Sequence, residues 1–315
     1  WEIKHNRITT QSNKMNKEIK NQFPSFCSDN GHYDLVLSDD ADSLLVSNFL
    51  EVQNWDSTMY FYDFNMLYIA EGHQPKNKIV GCDIDIIKGD GRCWGNHVTA
   101  ISKQDKINPN SANLNNIKGI TSRNYMDKYA GSTLATVMSY YDYDISKLSE
   151  QAKMLILCID SHYYGFYTSF HNTQRKWLVD FLQYQELYDI ILKYKEQDFI
   201  DLAVSLNIKI PTDKKDKYGK EKYRDGKIWI NKDGFLETEI DLEGISKILG
   251  ISITLPQWKF EPFFKVKENE PYLTLKTRYA GTQYINTREQ IHKNIFSYSQ
   301  TYKNNASFTY LETIK

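Results

Sequence analysis

Asp40 and Asp42 stand two residues apart in the turn Asp39-Asp40-Ala41-Asp42-Ser43, directly after the apolar run Tyr33-Asp34-Leu35-Val36-Leu37-Ser38. A turn breaks the strict alternation of a strand, so both carboxylates can converge on one point. Asp83 occupies the matching place near the end of a second apolar run, KIVGCDI at 78–84. Carboxylates gathered there repel one another unless a cation, a proton or a basic group compensates. Mn²⁺ or Mg²⁺, ions that prefer oxygen ligands, are the natural compensation. Asp and Ser also follow strands because they cap helices and make turns, and the same five residues serve that purpose equally well. His97 in Gly95-Asn96-His97-Val98 and Asp160 after Leu157-Cys158-Ile159 extend the acidic turn into a candidate site.

These residues need a scaffold that brings strand ends together. The spacing predicts strand 33–38, then a helix with Leu44, Leu45, Phe49 and Leu50 on one face, then strands at 58–62 and 78–84. Helices are expected over 129–141 and 147–159, the second apolar at Leu148, Ala152, Leu155, Ile156 and Ile159. Strands alternating with helices imply an α/β fold with a mainly parallel, doubly wound sheet. In such sheets ligands bind beyond the carboxyl ends of strands, where the strand order reverses. Residues 1–30 read as a polar arm with a weak helical pattern at 12–22, 31–170 as the α/β domain and 171–210 as connecting amphipathic helices. The charged stretch 211–227 reads as a solvated loop. It opens a smaller α+β domain, 211–315, with short alternating runs at KIWI, FLETEIDL, GISITL, PYLTLKTRY and SFTYLETI.

Order and spacing together resemble the DHH phosphoesterases: strand–DDADS–helix, then IVGCDIDI, then GNHVT, then a helix ending in LCIDSHYYGF. The resemblance covers about residues 35–165. It implies that Asp40 and Asp42 match the two aspartates of a His-x-x-x-Asp-x-Asp motif and that Asp83 matches an aspartate bridging two metals. It also places Gly95-Asn96-His97 where Asp-His-His is expected and Asp160 on a fourth-motif aspartate. The implied activity is metal-dependent hydrolysis of a phosphoester, with Asp83 and His97 catalytic, Asp40, Asp42, Asp83, His97 and Asp160 holding Mn²⁺ or Mg²⁺, and a metal-activated water attacking phosphorus. The chain departs from the pattern at Val36, where the first-motif histidine belongs, and at Asn96. Asp39, Asp85 and His162 are the residues near enough in sequence to replace those ligands. The family's glycine-rich Gly-Gly-Gly-His signature is absent from the second half.

For the substrate, Arg123 and Lys128 are candidate phosphate contacts, and Gly131 and Ser132 open a helix that could offer backbone N–H groups to an anion. The last 45 residues hold six basic residues against two acids, with eight aromatics between them. Arg278 and Arg288 in this stretch suit a single-stranded nucleic acid or a nucleotide, and so does the interleaving of charge with stacking rings. The same rings also serve as core.

A formal net charge of -1 excludes a global basic field of the duplex-binding kind. The segment GDGRCWG is not a dinucleotide fingerprint, and neither a P-loop nor G-x-S-x-G occurs. Four cysteines without a C-x-x-C pair point to reduced, buried thiols. No apolar run is long enough for a membrane span, and the opening segment lacks the apolar stretch of a signal peptide, so the expected compartment is the cytosol. Two classes remain open: a phosphoesterase, or a non-catalytic protein that keeps the fold and binds nucleotide, nucleic acid or a protein partner.

Overall fold

The computed structural model describes residues 14–29, 31–88, 91–215, 219–263 and 273–313. Residues 1–13 and 30 of the expected arm, Gly89 and Asp90 of GDGRCWG, and parts of the 211–227 and PYLTLKTRY stretches therefore lie outside the described residues. After a short helix α1 (Lys17–Lys20), strand β1 (Tyr33–Leu37) is buried at all five positions. It ends at the acidic turn, where Asp40 caps α2 (Ala41–Val52) by accepting from the Ser43 N–H at 3.0 Å. Strands β2 (Thr58–Tyr62), β3 (Leu67–Ala70), β4 (Lys78–Gly81), β5 (Arg92–Trp94) and β6 (Ser111–Ala112) follow. The next helices are α3 (Leu114–Ile117), α4 (Thr133–Tyr140) and α5 (Glu150–Cys158).

The seven-stranded sheet has the order β11-β3-β2-β1-β4-β5-β6, where β11 (Phe260–Pro262) comes from far along the chain. The four pairings from β2 through β6 are parallel, while β3 pairs antiparallel with both its neighbours. The fold is thus mixed α/β around a mostly parallel sheet, as the alternation of elements implies. Both faces are apolar, the signature of a covered parallel sheet. Leu35, Leu37, Phe61, Val80 and Trp94 join the main core with the apolar sides of α2, α4 and α5. Val36, Tyr60, Tyr62, Ile84 and Cys93 point to the opposite face, where Phe263 and Phe296 cover them. Each such Leu or Val contributes about 1.5–3 kcal/mol by leaving water.

That second face is covered by strands. Beyond α6 (His171–Arg175), a π-helical turn at 176–181, α7 (Gln185–Lys193) and α8 (Glu196–Ser205), the chain forms β7 (Lys209–Lys215) and β8 (Glu221–Asp225). Then come β9 (Ile228–Ile230), β10 (Leu236–Thr238), α9 (Leu242–Leu249), β11, and the strands β12 (Leu273–Gly281), β13 (Ile295–Tyr302) and β14 (Asn305–Thr313). The last three form one antiparallel sheet. It docks through a bridge between Ile86 and Ser297 and a hydrogen bond from the Tyr62 hydroxyl to Thr309 Oγ1 at 2.8 Å.

Several expectations need correction. Residues 211–227 contain most of the β7–β8 hairpin, paired through Ile210–Arg224 and Pro211–Tyr223, in place of a loop. GISITL forms no strand, and the nearest one, β11, lies further on and serves the main sheet. The helix expected over 129–141 begins only at Thr133, and the stretch 177–206 is three pieces, broken where Gln183 takes φ 60°. All four cysteines are free and buried. Among the described residues no helix is long and apolar enough to cross a membrane.

Candidate functional site

The chain leaves β1 for β2 and β3 on one side, then returns to β4 on the other, so the strand order reverses between β1 and β4. Beyond that switch point lie the acids singled out by sequence. Ser43 ties the two strand ends together: its Oγ accepts from the Ser38 N–H and donates to the Cys82 carbonyl, both at 2.6 Å. Asp42 is buried, and its two oxygens accept from the N–H groups of Thr133 (2.7 Å) and Leu134 (2.8 Å), the first residues of α4. Asp83 Oδ1 accepts from the Thr133 hydroxyl at 2.5 Å. Asp83 and Asp160 both sit in the left-handed backbone region, at φ 54° and 50°. Non-glycine residues held there concentrate at functional positions.

The Gly95-Asn96-His97 segment follows β5. A Cβ on residue 95 would overlap Asp85 Oδ1, so only glycine fits, and the Asp85 carboxylate fills that space. Asp85 accepts from the His97 backbone N–H (3.1 Å), from His97 Nδ1 (3.0 Å) and from Asn113 Nδ2 (2.7 Å). His97 is thereby fixed with Nδ1 toward Asp85, and no described residue takes its Nε2. Asn96 Nδ2 donates to Asp160 Oδ2 (2.6 Å) and to the Gly131 carbonyl (2.9 Å). Asn96 Oδ1 is buried and has no partner. A buried acceptor left unsatisfied costs about 1–3 kcal/mol, so it marks a place where a ligand would be welcome.

Charge is poorly balanced here. Burial, then Asp39, raises the Asp40 carboxyl to about 6 against the opposing pull of Lys227. Burial, then Asp160 and Asp40, pushes Asp42 well above the carboxylate range, and burial, then Asp42 and Asp40, does the same to Asp83. Asp160 is exposed, yet the protein behind its carboxyl raises it despite His97, Lys209 and Lys128. Burial works to lower His97, but Asp85, Asp83 and Asp160 overcome it and lift the imidazole to about 9.

Beside the crevice is a cavity of about 780 Å³, lined by Asn96, His97, Lys128 and Asp160 on one side. Tyr164, Phe170 and the β13–β14 turn at 301–305 form other walls.

The structure therefore brings Asp40, Asp42, Asp83, His97, Asp160 and Lys128 to one end of the sheet, and engages the other candidates in contacts within the chain. Ser132 caps its own helix by accepting from the Ala135 N–H (3.2 Å), and the free N–H groups of α4 go to Asp42, so no anion seat is left there. Arg123 turns to Asn286 Oδ1 (2.8 Å), and Arg278 lies over the Tyr310 ring. Arg288 is buried, bonded to the Thr99 and Lys106 carbonyls beside Asp105, and holds a loop in place. His162 is buried behind Gly131 between the Tyr129 and Phe166 rings, pushed down to about 3 by burial, and its neutral imidazole joins no group of ligands as placed among the described residues. Sequence reasoning missed Lys227, whose ammonium reaches Asp39 at 3.0 Å while the following N–H donates to the Asp39 carbonyl. No local signal announces a partner 188 residues away. Thr133 and Asn113, which hold Asp83 and Asp85, were missed for the same reason.

Among the described residues no group of three or more His, Cys, Asp or Glu side chains stands close enough to hold a metal ion as placed. The oxygens of Asp42 face α4, and His97 faces Asp85. The donor chemistry nevertheless fits a hard cation: carboxylates that repel one another and, beside Asp160, the unpartnered amide oxygen of Asn96 are oxygen donors of the kind that suit Mg²⁺ or Mn²⁺. Compared with family models, with curated proteins and with solved structures, the chain matches none.

Proposed function

We propose that the chain is a divalent-metal-dependent phosphoesterase of divergent DHH type, acting in the β1/β4 crevice on a nucleotide or a short single strand. The observation that carries this reading is the cluster of Asp40, Asp42, Asp83 and Asp160 at the switch point, whose carboxyls raise one another, with Asn96 bonded to Asp160 and its Oδ1 unpartnered. Asp40, Asp42, Asp83, Asp160 and Asn96 would hold Mn²⁺ or Mg²⁺, with His97 beside them. A bound ion supplies charge neutralisation at phosphorus and a more acidic water. His97 carries its proton at neutral pH and presents Nε2–H as a donor to a phosphoryl oxygen, while Asp85 fixes the ring. Lys128 adds a second positive charge from the cavity wall. The aspartate that the Asp-His-His pattern loses at position 95 is supplied from the other side by Asp85, whose carboxylate fills the same space.

A second reading, binding without hydrolysis, is favoured by Val36 and by the lack of three converged ligands. Hydrolysis of 5′- and 3′-labelled single-stranded oligonucleotides with Mn²⁺, wild type against Asp83→Ala, separates the two. The enzyme reading expects cleavage that needs both Mn²⁺ and Asp83. A Mn²⁺-dependent rise in melting temperature without cleavage would select the binding reading, and no rise at millimolar Mn²⁺ would remove the metal from both.

A further inference from the structure

A second cavity, of about 320 Å³, shares no lining residue with the first. It lies between the segment after β4 and the stretch leading into β13, and Lys88, Lys106 and Lys293 line it from three separate parts of the chain. Two acids also belong to the lining, Asp105 and Glu289. The Asp105 charge is consumed internally: its carboxylate accepts from the N–H groups of Ile101 (2.7 Å) and Arg288 (2.8 Å) and faces the buried Arg288 guanidinium at 3.6 Å. Glu289 is left against three ammonium groups, none of which pairs with a carboxylate among the described residues. In a chain of net charge -1, that is a local excess of one sign, the kind of surface that draws an anion. His292 adds a ring N–H donor. Its Nδ1 accepts from the Asn294 N–H at 3.1 Å, which leaves the ring proton on Nε2, and its ring lies 4.1 Å from that of Tyr310.

We propose that this pocket binds the phosphate group of a nucleotide or of a nucleic-acid backbone through Lys88, Lys106 and Lys293. Its volume is at the lower end of the roughly 300–1,000 Å³ of small-ligand sites, enough for a phosphate and its sugar. Lysines act on phosphate as point charges without the fixed fork of arginine, so the site reads charge and no base. It stands independently of the metal crevice.

The test is calorimetric titration of the full chain in EDTA with inorganic phosphate, AMP and an oligothymidylate, comparing wild type with Lys106→Glu/Lys293→Glu. The expected result is binding by wild type that the double variant loses. For the oligonucleotide, log affinity should fall less steeply with log salt by about 0.7 for each lysine removed. Lys106→Arg/Lys293→Arg should retain binding, Glu289→Gln should tighten it, and Asp83→Ala should leave it unchanged, which separates this pocket from the crevice. Equal binding of phosphate and AMP identifies an isolated phosphate as sufficient, and binding of the oligonucleotide alone identifies the backbone. Wild-type affinity and salt slope in the charge-reversed variant, with its fold verified by circular dichroism, would overturn the proposal. So would the failure of all three probes to bind wild type.

Discussion

At the amino end of β1, Asp34 is buried with both oxygens answered: His73 Nε2 stands at 2.7 Å and Asn77 Nδ2 at 2.9 Å. At the carboxyl end, Asp42 and its neighbours Asp40 and Asp83 are crowded together, answered by neutral donors, and raised by one another. The first arrangement is complete within the chain. The second stores repulsion that an added cation would relieve, and on the proposed reading that contrast separates a structural acid from one held ready for a ligand.

The contrast can be broken most strongly at Asp34. Asp34→Ala removes the charged acceptor of two hydrogen bonds, from the half-buried His73 and the exposed Asn77, and should cost about 2–3 kcal/mol in denaturant unfolding, with no change in Mn²⁺ response. Asp85→Ala comes next: it frees the His97 ring and should reduce hydrolysis by roughly 10- to 100-fold at little cost in substrate affinity, read as kcat against KM. The opposite sign is expected for Asp83→Asn. It keeps an acceptor for the Thr133 hydroxyl and removes a repelling charge, so the metal-free protein should gain on the order of 1 kcal/mol at neutral pH while its Mn²⁺ melting shift disappears.

Acidity sharpens the same comparison. Asp40 binds its proton more tightly folded, at about 6, than at the ordinary 3.8, so the stability this confers is lost as pH rises through about 6. His97, at about 9 against 6.5, contributes stability below 6.5 that is lost as pH rises through about 9. Both act in one direction: the metal-free melting temperature should fall across that range. Mn²⁺ should flatten the fall. Lys227→Met should have the smallest effect, moving the Asp40 step further upward by removing the nearest lysine charge.

What could be read from sequence was local. The run at β1 and the apolar side of α5 are written in consecutive residues, and they fold as expected. The β7–β8 hairpin was hidden because its exposed ribbon of lysines and acids has no apolar alternation to betray a strand. Strands β5 and β6, three and two residues long, give too short a pattern to register. Arg288 looked like a substrate contact because its charge was visible and Asp105, 183 residues away, was not. Asp85 was one of three replacements open from sequence. Only its place in space, against Gly95, distinguishes it from His162.

The Gly95–Asp85 arrangement also constrains the chain's redesign. Placing an acidic residue at 95 alone would drive its first side-chain carbon into a carboxylate that is wholly buried and anchored by Asn113 and His97. Residue 85 must shrink first, and that change releases the imidazole. The two positions are coupled: either substitution is damaging without the other, so the pair cannot be exchanged in a single step.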